Sequence, residues 1–357
     1  MTKKDIKSMT LDELILEMET LGEKKFRAKQ CYEWMHKRQA RSFSEMSNLS
    51  KDFREKCGNT YEYTALEAVD VQESKLDGTK KFLFRLSDDN VVESVFMRYK
   101  HGNSVCISSQ VGCRMGCKFC ASTLDGLERN LTAAEMLDQI YAITLLTGER
   151  VSNVVVMGTG EPLDNYDNLL RFIRILTDEN GLNISQRNVT VSTCGLVPKM
   201  YELAEENLQI TLALSLHAST DEKRKELMPI ANKYSIAELM AACKNYFEKT
   251  GRRITFEYSL VGGVNDTDED ARRLVQLASP LCCHINLIPV NPIKERDFVQ
   301  SETRRIEAFK NKLEKNKINV TIRREMGRDI DGACGQLRRR HILANKETDG
   351  VKDVFHN

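Results

Sequence analysis

The spacing of apolar positions along the chain changes period twice. Up to about residue 60 the apolar positions recur at helical spacing. Thr10-Leu-Asp-Glu13 and Ser42-Phe-Ser-Glu45 have the form of capping boxes, in which side chains satisfy the free N–H groups at a helix start, and each predicts an amphipathic helix. From about 64 to 109 the period becomes two. Segments 80–86 and 91–98 alternate between turn signals at Asp77-Gly78, Asp88-Asp-Asn90 and His101-Gly-Asn103, which predicts a meander of hairpins. From 104–109 onward, short β-branched runs at 153–157, 188–192, 210–215, 254–258, 284–289 and 319–323 alternate with helical stretches. The helices fall at 132–146, 165–177, 198–206, 235–249, 267–278 and 301–316, the first opened by a capping box at Thr132-Ala-Ala-Glu135. Regular βα alternation predicts a parallel sheet curled into a barrel or part of one, here about six units. The expected organisation is a helical domain over 1–62, a β-meander linker over 63–101, an α/β core over 102–343 and a loose polar tail over 344–357.

Composition narrows the classes. With 357 residues and 41% hydrophobic content, the chain can bury a substantial core. Lys+Arg 53 against Asp+Glu 52 leaves a net charge of +1, so any basic surface must be local. One such stripe runs from Glu23 to Arg41, where Lys24, Lys25, Arg27, Lys29, Lys37, Arg38 and Arg41 surround Cys31, Tyr32, Trp34 and Met35. It reads either as a solvated helix face or, given an RNA substrate, as a phosphate-contacting surface. Eleven unevenly spaced cysteines are not a secreted disulfide framework. The N-terminus lacks the apolar core of a signal peptide and no apolar run reaches membrane-spanning length, so the expectation is a soluble protein of the reducing cytosol.

Candidate chemistry centres on Cys113, Cys117 and Cys120, a C-x3-C-x2-C run. Three thiolates this close can hold three irons of a [4Fe–4S] cluster and leave the fourth open to a small molecule. A structural zinc site would want a fourth ligand that the neighbouring sequence does not offer. In parallel barrels catalytic groups stand at the C-terminal ends of strands. Met157-Gly-Thr-Gly-Glu-Pro162 falls at such a place, with glycines for close backbone approach and Glu161 to pair with an ammonium. Ser192-Thr193, Ser215-Leu-His217 and Asn291-Pro292 also end strands, although each alone is equally ordinary loop chemistry, and His217 reads as well as a satisfied core histidine. Cys106, alone, reads first as a buried strand thiol. Cys334, in the glycine-flanked loop Asp331-Gly-Ala-Cys-Gly-Gln-Leu337, suits a thiolate that is alkylated or forms a transient disulfide.

The strings Cys106-Ile-Ser-Ser-Gln-Val-Gly-Cys113, Arg129-Asn-Leu-Thr132, Gly158-Thr-Gly-Glu-Pro162, Ser215-Leu-His-Ala218, Asn286-Leu-Ile-Pro289 and Asp331–Leu337 together resemble the RlmN/Cfr family of radical S-adenosylmethionine (SAM) RNA methyltransferases. The likeness runs from the helical unit to about Leu337. Thr159 and Gly332 depart from the family's pattern without touching a proposed chemical group.

The resemblance implies an α/β fold, a partial (β/α)6 TIM-like radical SAM barrel preceded by a small helical N-terminal domain and a β-meander. It implies a [4Fe–4S] cluster on Cys113, Cys117 and Cys120, and SAM held by Gly160, Glu161, Ser192, Ser215, Leu216, His217 and Asn291. Cys334 would take a methyl from one SAM, and a radical generated from a second would activate that methyl for addition to adenine. Cys106 would then resolve the RNA adduct through a transient disulfide with Cys334, with Glu93 as the proton acceptor. The implied substrates are 23S rRNA at the peptidyl transferase centre and the tRNA adenine 3′ of the anticodon. The implied electron donor is a flavodoxin or ferredoxin, and the chain would act as a cytoplasmic monomer without a membrane.

Val111, Pro162, Pro289 and Val290 resemble the branch that methylates the 2-carbon of adenine; the alternative is Cfr-like methylation of the 8-carbon. Two other classes compete. A non-enzymatic RNA-binding protein with a structural metal leaves Cys106 and Cys334 unexplained, and a radical SAM enzyme of small molecules leaves the N-terminal unit and meander unexplained.

Overall fold

The computed structural model describes residues 3–290, 298–330 and 335–343; Asn291, Cys334 and the predicted tail lie outside the described residues. At the N-terminal end, helices α1 (Leu11–Thr20), α2 (Lys25–His36) and α3 (Lys51–Thr60) are closed by two short parallel strands, β1 (Lys4–Asp5) and β2 (Tyr61–Glu62). The Thr10 capping box forms as predicted, with the Thr10 side chain on the Glu13 N–H and Glu13 reaching back. The Ser42 box does not. Ser42 Oγ bonds Ser44 Oγ and Glu45 accepts from the Arg41 N–H, leaving only a 3-10 turn at Phe43–Glu45. The helix starts instead at Ser50, whose hydroxyl accepts from Phe53 N.

The sheet has ten strands among the described residues. They are β3 (Glu67–Glu73), β4 (Lys80–Arg85), β5 (Val91–Tyr99), β6 (Gly102–Ile107), β9 (Val151–Val156), β10 (Val189–Thr193), β11 (Thr211–Ser215), β12 (Ile254–Leu260), β13 (Cys283–Pro289) and β14 (Asn319–Ile322). A separate hairpin, β7 (Gln110–Gly112) with β8 (Leu127–Asn130), follows β6. The strands from β6 to β14 pair in parallel and in chain order, and β3 to β6 pair antiparallel, so the predicted meander extends the barrel sheet at one edge. Both β3 and β14 are edges, and the barrel is open, as predicted.

Helices return the chain between parallel strands: α4 (Ala133–Thr147), α5 (Tyr166–Thr177), α6 (Val197–Glu205), α7 (Asp221–Leu227), α8 (Ile236–Thr250), α9 (Asp268–Ala278) and α10 (Thr303–Lys315). Their ends carry the expected chemistry. Thr132 and Glu135 cap α4, Ser235 and Glu238 cap α8, and Gly148 and Gly251 end those two helices in the left-handed conformation. A further helical segment covers 336–343.

The N-terminal unit is bound to α4 by a buried ion pair. Lys7 Nζ meets Asp138 and also donates to Thr64 O at 2.7 Å, beneath the rings of Tyr63 and Tyr141. The second Asp138 oxygen accepts from Leu66 N, and Arg171 bridges to Glu13 and Ser8 O. The unit therefore holds a set place at one side of the barrel.

Candidate active site

Hairpin β7–β8 brackets the cysteine loop. Gly112 closes it with φ +75°, and a Cβ there would lie 2.0 Å from Gly126 O, so only glycine fits. Cys113 N donates to that same Gly126 O at 2.7 Å. Inside the loop, Thr123 Oγ1 donates to the carbonyls of Cys117 (3.1 Å) and Cys120 (3.0 Å), and Lys118 N ties the loop to Leu227 O at the end of α7. The three cysteines thereby stand on one wall of a cavity of ≈ 270 Å³ at the C-terminal mouth of the barrel. Burial pushes the Cys113 thiol up to about 12 and raises Cys117 as well. Coordination to iron would remove both protons.

The opposite wall follows β9. A Cβ on Gly158 would lie 2.7 Å from Ile107 O, and one on Gly160 (φ +112°) 2.7 Å from Gln110 Cβ. The turn therefore packs directly on β6 and β7, and Gln110 Oε1 accepts from Glu161 N at 2.8 Å. The Glu161 carboxylate faces the same cavity, accepting from Leu163 N (3.0 Å) and Cys194 N (2.7 Å). Burial raises its pKa, and no Lys or Arg pairs with it among the described residues. A buried carboxylate in that state suits a ligand ammonium.

Further round the mouth, Ser192 and Ser215 line the cavity with their hydroxyls 3.4 Å apart. His217 lines it too, at φ +54°, with Phe119 edge-on against its ring. Its Nδ1 accepts from Ser259 N at 2.9 Å, which leaves the proton on Nε2, and burial holds its pKa down to about 3. Leu216 is different: its side chain is buried in the core rather than on the cavity wall, and its N–H donates to Glu257 O.

Sequence reasoning missed three groups here. Glu257, on β12, lines the cavity, accepts from Asn286 Nδ2 at 3.0 Å and has its pKa raised by burial against the pull of Arg323, which lines the cavity as well. Arg224, on α7, is fully buried and donates to the carbonyls of Cys194 (2.7 Å), Leu216 (3.2 Å) and Ser215 (3.4 Å). Polar residues inside apolar β-strands were the available signal for Glu257. Arg224 had none, because Asp221-Glu-Lys-Arg-Lys-Glu226 reads as a solvated charge run.

Beside the cavity lies a second constellation. Register places Lys81, Val95, Cys106 and Val155 in one cross-strand row from β4 to β9. Directly opposed residues project to the same face. Cys106 is buried among Val95, Met97, Val155, Met157 and Met326, and Met157 also lines the cavity. Glu93, two residues before Val95, points to this face. Its carboxylate is buried and held by three donors: Lys81 Nζ pairs with Oε2 at 3.1 Å, Gly335 N donates to Oε2 at 2.7 Å and Arg338 N to Oε1 at 2.6 Å. Gly335 also packs on the cysteine loop, since a Cβ there would lie 2.9 Å from Ser122 N. Leu337 completes the cover against Leu83 and Val91.

The donor set fits an iron–sulfur cluster with SAM. Three thiols share a cavity with a buried carboxylate that no Lys or Arg pairs among the described residues, which suits three iron ligands beside a group for a ligand ammonium. Among the described residues no helix is long and apolar enough to cross a membrane.

An open parallel sheet with a three-cysteine loop at its mouth defines a radical SAM enzyme, and the model of the radical SAM superfamily matches residues 107–278. The model of the ribosomal RNA large subunit methyltransferase N-terminal domain matches residues 4–62. The chain belongs to the RlmN family. It is 67% identical over 97% of its length to the probable dual-specificity RNA methyltransferase RlmN of Lachnospira eligens, covering 99% of that protein. The corresponding protein of Lachnoclostridium phytofermentans is 62% identical over 94% of this chain and 95% of its own length. The crystal structure of a radical SAM methyltransferase from Sphaerobacter thermophilus superposes with a TM-score of 0.89 at 42% identity, covering 93% of this chain and 98% of that one.

Proposed function

We propose that this enzyme methylates the 2-carbon of an adenine in 23S rRNA and of the adenine 3′ of the anticodon in tRNA, using Cys334 as the methyl carrier and two SAM molecules per turnover. One observation carries the reading. Gly335, the residue after Cys334, bonds Glu93 and packs on Ser122 of the cysteine loop, over the sheet face that bears Cys106. That Gly335, the residue next to Cys334, meets Glu93 over the face bearing Cys106 supports pairing these three residues in one reaction.

Cys113, Cys117 and Cys120 would hold the cluster, which when bound supplies the electron that opens one SAM to a 5′-deoxyadenosyl radical. Glu161 would take the methionyl ammonium, and Ser192, Ser215 and His217 Nε2–H would orient ribose and carboxylate, together with Asn291. Cys334 Sγ, as thiolate, would attack the methyl carbon of the other SAM; the new S–CH3 bond forms as the methyl–sulfonium bond breaks, and S-adenosylhomocysteine leaves with the electron pair. Once the activated carbon is joined to adenine and the adduct's unpaired electron has returned to the centre that supplied it, Cys106, as thiolate, would attack Cys334 Sγ. The S–S bond forms as the C–S bond breaks, the electron pair stays on the methylene carbon, and Glu93 takes the ring proton as that carbon is reprotonated.

Substrate RNA would lie across α2. Lys24, Lys25, Lys29, Lys37 and Arg38 are exposed there, Arg38 stacks on Trp34 at 4.3 Å, and Phe26 is 51% exposed under Arg27. Cations beside open aromatic faces suit phosphates and unstacked bases. Pro289 and Val290 line the cavity, which favours the 2-carbon, whereas Val111 and Pro162 are buried away from it. Digestion of treated 23S rRNA and tRNA to nucleosides, compared with 2- and 8-methyladenosine standards, tests the assignment. 2-Methyladenosine is expected, and 8-methyladenosine as main product would move the enzyme to the Cfr side.

A further inference from the structure

The ion pair between Lys81 and Glu93 goes unused in the steps above. Its two side chains are 0% and 4% exposed, so neither charge is satisfied by water. Isolated charges at that depth are strongly disfavoured, and a buried pair persists only where further hydrogen bonds complete it. On the carboxylate side, two such bonds come from one segment. Gly335 N joins Lys81 on Oε2, and Arg338 N takes Oε1, so the carboxylate fastens the first turn of segment 336–343 to the sheet. Arg338 Nε adds a bond to Val91 O at 3.1 Å. Lys81 itself stands on β4, in the same cross-strand row as Cys106 with only Val95 between them. Neighbouring strands lie about 4.8 Å apart. The cation, the carboxylate it holds and the proposed resolving thiol are thus fixed on one rigid sheet, and the amide after Cys334 hangs from that carboxylate.

We propose that Lys81 is a positioning residue for methyl transfer: through Glu93 it tethers Gly335 and Arg338 to the sheet that carries Cys106, and so sets where Cys334 meets SAM and later Cys106. This rests on Cys334 being the methyl carrier. Lys81 does not line the cavity, and its ion pair with Glu93 is the link to segment 335–338. Among the described residues the tether leaves Glu93 Oε1 with a single donor, Arg338 N, and so with a lone pair for the ring proton, while it holds segment 335–338 to the sheet.

The test uses full-length, cluster-loaded protein prepared anaerobically, as wild type, Lys81→Met and the double variant Lys81→Met/Glu93→Gln. The double variant removes both charges, so it folds even if the single one, left with an uncompensated carboxylate, does not. Two quantities are read: hydrogen exchange at the Gly335 and Arg338 amides, and the rate at which SAM methylates Cys334, followed by mass spectrometry of its peptide. Exchange at both amides should rise at least tenfold and the methylation rate should fall at least tenfold, with iron content and SAM affinity unchanged. A purely structural pair would lower the denaturation midpoint of Lys81→Met and leave the double variant with wild-type exchange and methylation. That result would overturn the proposal. A wild-type chain that never acquires a methyl on Cys334 would overturn the carrier reading instead, while unchanged amide exchange in the variants would overturn the tether alone.

Discussion

Glu161 carries the clearest electrostatic demand in the molecule. Its carboxylate is buried beside the three cysteines with two backbone donors and a pKa raised by burial, so a bound ammonium would relieve it. Glu161→Gln keeps the shape and removes the charge. A hydrogen bond to a charged group is worth roughly 1.5–3 kcal/mol, so the SAM dissociation constant should rise about ten- to a hundredfold; isothermal titration of the cluster-loaded protein measures it. His217 and His36 make a different prediction. Burial lowers both below the ordinary 6.5, His217 to about 3. Below pH 6.5 the unfolded chain therefore binds protons that the folded chain refuses. The stability these residues contribute is complete above pH 6.5 and is lost as pH falls below it, for His217 down to about 3, by up to about 1.4 kcal/mol per pH unit for each. The urea midpoint should fall from pH 7.5 to 5.5, and His217→Gln should flatten that slope; an unchanged slope in the variant would show that His217 is not held neutral.

At the scale of elements, the joint between the N-terminal unit and α4 hangs on Lys7 and Asp138. Removing one partner of a buried pair costs about 3–5 kcal/mol. Lys7→Met should lower stability by that order in urea denaturation and open the Thr60–Leu66 connection to limited proteolysis, while iron content stays unchanged. Elements were legible wherever local chemistry and burial agree. The run 284–289 alternates the buried Ile285, Leu287 and Pro289 with the half-buried His284, Asn286 and Ile288, the period-two pattern of a strand, and Thr132-Ala-Ala-Glu135 caps α4 as predicted. Ser42 and Ser50 show the limit. Both precede a helix-like run, but the Ser42 hydroxyl is taken by Ser44, and that competition is invisible in the pattern. Helix α7 was hidden for another reason: its buried face depends on one long cationic side chain, Arg224, that reaches the carbonyls at the ends of β10 and β11.

For the whole molecule, the cysteine run and the polar residues at strand ends marked loops at the mouth of the barrel, and one cavity there is lined by Cys113, Cys117, Cys120, Gly160, Glu161, Ser192, Ser215 and His217. What no spacing could give was pairing across distant segments. Lys81 meets Glu93, and Glu93 meets Gly335 and Arg338 across more than 240 positions of sequence. Glycine at 112 is required by the same long-range logic, since any side chain there meets Gly126 O. Gly112→Ala, which adds strain of about 1–3 kcal/mol at positive φ before the backbone clash is counted, should yield protein with markedly less iron per chain on anaerobic reconstitution; wild-type iron content would show that the hairpin does not shape the cluster loop.

The central claim is that RNA becomes joined to Cys334 and is freed by Cys106. Cys106→Ala, incubated anaerobically with SAM, a reductant and substrate RNA, should accumulate a covalent protein–RNA species. Nuclease digestion and peptide mass spectrometry should map that bond to Cys334, and Cys334→Ala should form none. Normal turnover of Cys106→Ala without any covalent species, or an adduct on a residue other than Cys334, would contradict it.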